Sequence, residues 1–435
     1  MTTSAPERIA FFVSSHGFGH ASRACAVMQA LREQRPAVEL RVYTETPEWF
    51  FRDSVGDVHY RHLRTDVGLV QRSPLLEDIP ATIEELARFM PFRPAVVDSL
   101  AAEIADCELV VCDVSPLGLH VAAAAGVPSV LVENFTWDWI YRAYADMHPA
   151  LVPFIDYVEF VNRKADLRIQ TEPLCHAVSG SAKVGPIARR LRESRTAVRD
   201  RLEIDPSTPL VLVSMGGVPA KYPFLERLRD RSDCILLIPG AAHERRRDGA
   251  ILMLPARSDF YHPDLVNACD ALVCKSGYST LAEAHRSGPP LAWFPREHFP
   301  ESPVLDAFIE REMSGIRLHP SDWDNGAWID RLPELLALKR RLPGVTTGAD
   351  QVASLLLEFT VTGRDPRASG GVAVVGRTVG LGLTSGGSVH QASQNPADCE
   401  LETDQDDGKR KADPDEVGGE PGGHGSASSS GTDFR

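Results

Sequence analysis

The sequence predicts an α/β protein of two facing, Rossmann-like domains with parallel sheets, followed by a disordered C-terminal tail. Three observations carry this prediction. Short apolar runs alternate with segments of helical spacing from residue 8 onward. The alternation restarts near residue 206, and the composition changes after about residue 361.

The first alternation begins with RIAFFVSS (8–15), an apolar run that ends in the polar turn HGFGH, and ASRACAVMQALREQ after it has helical spacing. VELRVYTE (38–45) reads as a strand, and ATIEELARFM (81–90) and AVVDSLAAEIADC (95–107) as helices. ELVVCDV (108–114) is a buried strand, LGLHVAAAAG a helix stopped by Gly126, and VPSVLVEN the next strand. Strands that alternate with helices make a parallel, doubly wound sheet. This places an N-terminal domain at 1–180 and a hinge at 181–205, where ESRTAVRDRLEI (193–204) is a charged helix.

The second domain, 206–361, opens on the strand LVLVSMGG (210–217). CILLIPG (234–240) and GAILML (249–254) are further strands, HPDLVNAC (262–269) a short helix, and ALVCKSG (271–277) a strand and turn. YSTLAEAHRSG is a helix stopping at Gly288, PPLAWFP (289–295) a strand, and GADQVASLLLEF (348–359) a closing amphipathic helix. Ligands in such sheets bind outside the carboxyl ends of the strands, so the cleft between the domains is the expected site. The tail, 362–435, is rich in Gly, Ser, Asp and Pro and holds 12 Asp and Glu against 7 Lys and Arg, a composition expected to stay disordered. Its GRTVGLGLTSGG piece lacks the strand–turn–helix setting of a phosphate loop.

Composition narrows the function. Apolar residues make up 43% of the chain and charged ones 24%, as in ordinary globular proteins. The net charge of −14 argues against a nucleic-acid partner or an anionic membrane surface, so any phosphate must be held locally. Peripheral contact with a membrane stays open. The eight cysteines form no CxxC pair, which suggests neither a metal site nor a disulfide framework, and they read as reduced thiols of a cytoplasmic protein. No signal peptide is expected at the N-terminus. The most apolar stretch, 109–132, contains Asp113, His120 and two prolines and is no spanning helix.

The segment CKSGYSTLAEAHRSGPPLAWFPREHFPES (274–302) carries the strongest chemical signal. A strand ends at Lys275, Gly277 permits a tight turn, and Ser279 and Thr280 open a helix whose free amides and positive dipole end suit a phosphate. Glu283, one turn further, suits ribose hydroxyls; a Ser/Thr cap with an acidic residue in the first turn is the plain alternative. In SMGGVP (214–219) the amides of Gly216 and Gly217 make a second candidate phosphate loop, or an ordinary strand–helix turn.

The segment resembles the donor-binding signature of GT-B glycosyltransferases, including the peptidoglycan N-acetylglucosaminyl transferase and plant natural-product enzymes. More motifs are shared with the N-terminal, glycosyltransferase-like half of plant arabinokinases: HGFGH, NF-W-D, K-GY-T-EA and R--F-E, over residues 8–320 or so. The resemblance implies the GT-B fold and transfer of a hexosyl group from a nucleotide diphosphate sugar, a UDP-sugar first, to a hydroxyl of a small-molecule or glycan acceptor. It sets Lys275 where the plant enzymes have an α-phosphate histidine, Ser279 and Thr280 at the β-phosphate, and Glu283 at the ribose. The acidic–Gln pair that grips the donor sugar is absent; REHFPES offers Arg296, Glu297 and Glu301 instead.

By the same resemblance HGFGH is the acceptor-side loop. Gly17 and Gly19 let it approach the cleft, and the base that deprotonates the acceptor falls on His20, with His16 the competing choice. A group of ordinary pKa near 6.5 suits that task. Asp113, at the end of a later strand, would orient the base; His20 and Asp113 as mere helix caps are the alternatives. ENFTWDWIYRAY (133–144) supplies Asn134 and Trp137 as an acceptor-facing wall, although Trp137, Ile140, Tyr141 and Tyr144 also have the spacing of a core face. Asp66 and Gln71 of DVGLVQRSP are placed facing the cleft, and Arg189 and Arg190 are read as solvated. The glycosyltransferase reading implies inversion, with the leaving diphosphate stabilised by Lys275 and helix-terminal amides so that no metal or other cofactor is expected; no DxD-type metal motif is seen between the domains. Two alternatives stand: a non-catalytic nucleotide-sugar binder or regulatory protein, suggested by the missing pair, and a sugar-nucleotide epimerase of the same fold.

Overall fold

The computed structural model describes residues 7–73, 75–216, 222–343 and 348–362. The expected tail beyond 362 and the expected phosphate-loop glycine Gly217 lie outside the described residues.

In chain order the strands of the first half are β1 (Arg8–Val13), β2 (Glu39–Thr44), β3 (His59–His62), the short ribbon β4 (Gln71–Ser73) and β5 (Leu76–Glu77), then β6 (Leu109–Asp113), β7 (Ser129–Glu133), β8 (Leu167–Thr171) and β9 (Ala182–Val184). Those of the second half are β10 (Leu210–Ser214), β11 (Ile235–Pro239), β12 (Arg246–Asp248), β13 (Ile251–Leu254), β14 (Ala271–Lys275), β15 (Leu291–Phe294) and β16 (Gly315–Arg317). They form two seven-stranded sheets, ordered β3-β2-β1-β6-β7-β8-β9 and β12-β13-β11-β10-β14-β15-β16. Within these two sheets all neighbours are parallel except the edge pair β12–β13, and β4 pairs antiparallel with β5 as a separate ribbon. The central strands are the unbroken apolar runs of the sequence, as strands covered by helices on both faces must be.

Each sheet reverses its strand order once, between β1 and β6 in the first and between β10 and β14 in the second. Crossovers leave in opposite directions there and open a crevice. The loops at the four carboxyl ends are those holding His16–Gly19, Asp113–Ser115, Ser214–Gly216 and Lys275–Gly277. The two crevices face each other at close range: a Cβ on Gly17 would lie 3.7 Å from the carbonyl oxygen of Gly216, and one on Gly19 3.7 Å from Oγ of Ser279. Gly17 has φ +73°, a backbone that only glycine adopts cheaply, and its turn sends the chain from β1 into the helix Phe18–Gln34.

The closing helix, Gly348–Thr362, was expected within the second domain but packs on the first. Its Val352, Ala353 and Leu356 join Ala21, Cys25 and Met28 of the helix Phe18–Gln34 in one buried cluster. An amphipathic helix settles where its apolar stripe finds an uncovered face, and the first sheet provides it. Among the described residues no helix is long and apolar enough to cross a membrane, and no cluster of metal-ligating side chains is present.

Candidate active site

The site is built around a buried arginine, Arg23, that no motif of the sequence marks. In the helix Phe18–Gln34, His20 and Arg23 stand three residues apart and therefore on one face. Asp113 ends β6, beside β1. Nδ1 of His20 lies 2.9 Å from Oδ1 of Asp113. Arg23 donates from Nε and Nη2 to the two oxygens of the same carboxylate at 2.8 and 2.6 Å. Its Nη1 donates to Oδ1 of Asn134 at 2.6 Å, and Nδ2 of Asn134 donates to Oε1 of Glu301 at 2.7 Å. This chain of bonds runs from the first half to the second.

Burial opposes the charge of Asp113, but the Arg23 guanidinium and the His20 hydrogen bond hold its carboxyl below the usual carboxylate range. An ionised carboxylate only accepts, so the Nδ1 of His20 that faces it donates. Neither residue caps a helix: Gly17 and Ser115 occupy those positions, and Oγ of Ser115 accepts from the amide of Gly118. Val114, next to Asp113, has φ +59°, a costly conformation for a β-branched residue and of a kind that clusters at functional sites.

Across the cleft the helix Tyr278–Ser287 points its N-terminus at the loop of Gly17 and Gly19. Gly277 is its N-cap, and neither Ser279 nor Thr280 spends its hydroxyl on a cap bond. Gly216 has φ +72°, and a Cβ there would meet Cε of Lys275 at 2.9 Å, so the Lys275 stem lies across this glycine. Burial, reinforced by the charge of Arg296, lowers the Lys275 ammonium to about 7.

Two cavities meet here. The larger, about 1000 Å³, is lined by Trp49, Phe50, Arg189, Tyr261, His262 and Glu283 among others. The smaller is lined by His16, His20, Arg23, Gln71, Asn134, Lys275, Gly277, Arg296 and Glu301. Gly216, Ser279 and Thr280 line both.

Several expectations change. Trp137 is 1% exposed, lines neither cavity, and packs its ring edge-on to His16 with centroids 5.1 Å apart; the core reading of its helical spacing prevails. His16 stays on the cavity wall, but its Nδ1 faces the amide of Leu69 and burial lowers its pKa, with no carboxylate to orient it as Asp113 orients His20. Arg189, read as solvated, is buried: its Nε donates to Oε1 of Glu283 at 2.8 Å, and Nδ1 of His262 lies 2.9 Å from the other oxygen. Against burial, Arg189 and then His262 hold Glu283 down to about 2. Of the residues in REHFPES, Arg296 and Glu301 face the smaller cavity, whereas Glu297 is exposed. Asp66, expected to face the cleft, is buried and lines neither cavity; burial pushes its carboxyl up to about 6, against the opposing effects of His20, Ser14 and Trp137.

No protein-family model matches the chain. L-arabinokinase of Arabidopsis thaliana is 29% identical over 370 residues, 82% of this chain, and the chain spans about a third (34%) of that relative's length. A UDP-glucosyltransferase from Polygonum tinctorium superposes with a TM-score of 0.54 at 14% identity, over 83% of this chain and 100% of the other. The spinosyn forosaminyltransferase SpnP gives 0.51 at 14% identity, over 82% and 95%. At such identities the likeness speaks for the fold. Two parallel sheets that face one another at their switch points, together with these likenesses, identify the chain as a GT-B-fold protein similar in sequence to L-arabinokinase.

Proposed function

We propose that the chain is an inverting, nucleotide-sugar-dependent glycosyltransferase. The observation that carries this reading is His20, held from behind by the buried Asp113, on the wall of the same smaller cavity that Lys275 and the N-terminus of the helix Tyr278–Ser287 line. The nucleoside fills the larger cavity, the diphosphate lies at Gly216, Ser279 and Thr280, and the sugar enters the smaller cavity. Nε2 of His20 takes the proton of an acceptor hydroxyl. The freed oxygen attacks the anomeric carbon from the face opposite the diphosphate, the bond from that carbon to the phosphate oxygen breaks, and its electron pair leaves with the nucleoside diphosphate. Lys275 and the helix-terminal amides stabilise the charge that develops there, the part a divalent cation plays in other enzymes. UDP is the first nucleotide to test, since a UDP-glucosyltransferase shares the fold.

A second reading, a nucleotide-sugar binder without turnover, is favoured by the Asn134–Glu301 bond. It occupies the acidic side chain nearest to where the sugar would lie. One experiment separates the two. The full chain is incubated with UDP-sugars, with and without a panel of acceptor alcohols, and released UDP is measured. Release that disappears in His20→Ala, with UDP binding retained, supports transfer. Binding without release across the panel supports the binder, and full release by the variant removes His20 from the base role.

A further inference from the structure

Among the described residues, two side chains that line the smaller cavity carry a buried hydrogen-bond donor without an acceptor. Arg296 is 5% exposed; its Nη2 forms a short ion pair with Glu77, yet its Nε is buried without a partner. Nε2 of Gln71 is likewise buried and unpartnered. The two come together because Gln71 lies opposite Glu77 in the β4–β5 ribbon, and Glu77 holds Arg296. Lys275, nearby, has no hydrogen-bond or ion-pair partner among the described residues, and the charge of Arg296 reaches both it and His16. A buried donor left unmade is costly, and two on one cavity wall mark the place of an acceptor that a ligand brings.

The acids nearby leave that place open. Glu77 is neutralised by Arg296. Glu301 already accepts from Asn134, and burial raises its pKa, which favours its neutral form. The position along the cleft identifies which part of a ligand would arrive. Gly216, Ser279 and Thr280, shared by both cavities, mark the diphosphate, whereas Gln71 and Arg296 line the smaller cavity alone. A group that reaches them belongs to the sugar.

We infer that the donor sugar is a uronate, whose carboxylate accepts from Nε of Arg296 and Nε2 of Gln71. This rests on the nucleotide-sugar reading above. A carboxylate offers several acceptor sites and a charge that strengthens each bond, which a sugar hydroxyl does not match. An arginine at the head of REHFPES is then a specificity residue for the sugar.

Calorimetric titration of the full chain tests this with three donor pairs: UDP-glucose and UDP-glucuronate, UDP-galactose and UDP-galacturonate, GDP-mannose and GDP-mannuronate. UDP and GDP alone are titrated beside them, with no acceptor present, so that any preference belongs to the donor. At least one uronate is expected to bind about 10-fold or more tightly than its neutral partner. Gln71→Leu and Arg296→Lys should each bring that ratio close to one. A variant that misfolds loses all ligands together, so the ratio reports only the sugar. Equal binding within every pair overturns the uronate and leaves the nucleotide-sugar reading standing. A ratio unmoved by both substitutions overturns the role of Gln71 and Arg296. Failure of every nucleotide and donor to bind overturns both readings.

Discussion

His20 and Asp113, 93 residues apart in sequence, meet at 2.9 Å because β1 and β6 are adjacent strands at the switch point of the first sheet. The same carboxylate also takes two bonds from Arg23, so it orients a histidine and balances a buried cation at once. These two duties separate experimentally. Asp113→Asn should lower UDP release roughly 10²- to 10⁴-fold, because the tautomer of His20 is no longer fixed. It should also destabilise the protein by about 3–5 kcal/mol, because Arg23 is left without its partner. His20→Gln should show the loss of rate with little change in melting temperature. An Asp113→Asn protein that melts early yet turns over normally would leave the pair a structural role alone.

Lys275 should report diphosphate binding through its proton. Burial and Arg296 lower its ammonium to about 7 from 10.5, so the folded protein binds fewer protons than the unfolded chain between those values. The destabilisation from this group is complete below pH 7 and fades as pH rises from 7 to 10.5. A bound diphosphate supplies the missing anion and raises the ammonium again. At pH 8, where a terminal phosphate is already fully ionised, UDP binding should therefore take up close to one proton. Calorimetry in two buffers of different ionisation enthalpy measures this uptake, and Lys275→Met should abolish it. Tight binding with no uptake would place the diphosphate away from Lys275.

The sequence made the centre of each sheet legible because β1, β6, β10 and β14 are unbroken apolar runs that end in polar or glycine turns. It hid the edges. β3 is HYRH and β12 is RRD, segments held by neighbouring strands and carrying no apolar signal of their own. The helices Val152–Asn162 and Ser302–Glu312 escaped for another reason: each carries Pro at its second position, which reads as a turn until the helix is seen to begin there. The loops at the switch points could be read from motifs. The ion pairs that fix them could not, since Arg23–Asp113 and Arg189–Glu283 join residues far apart in the chain. Arg23 did leave one signal, a charge among Ala, Cys and Met in a helix with nowhere to expose it.

Glu283 should govern acid stability. Both its oxygens are engaged, by Arg189 and His262, and Arg189 in turn reaches Oγ of Ser54 and the Phe50 ring in the first half. The carboxyl lies at about 2 in the folded protein against 4.5 otherwise, so its stabilisation is complete above pH 4.5 and is lost as pH falls towards 2. This amounts to about 3 kcal/mol. Glu283→Gln should be less stable than the unaltered protein by about 3–5 kcal/mol at pH 7, and the gap should narrow between pH 4.5 and 2. Urea unfolding at a series of pH values measures it; a gap that stays constant would trace the effect to packing.

Asp66 runs the opposite way. It is 3% exposed, and burial raises its carboxyl to about 6. The folded state therefore favours the protonated form, and stability from this group falls as pH rises from 3.8 to 6, with the full cost of about 3 kcal/mol present above 6. Asp66→Asn, a neutral side chain of the same shape, should raise the melting temperature at pH 8 and give no gain at pH 4. Asp66 lines neither cavity, but its carboxylate acts electrostatically on His20, the proposed base. The variant should then be more stable at pH 8 and slower in transfer, with UDP affinity unchanged. Loss of stability in Asp66→Asn at pH 8 would mean that the carboxylate is ionised and partnered in the folded protein, and would remove both halves of the prediction.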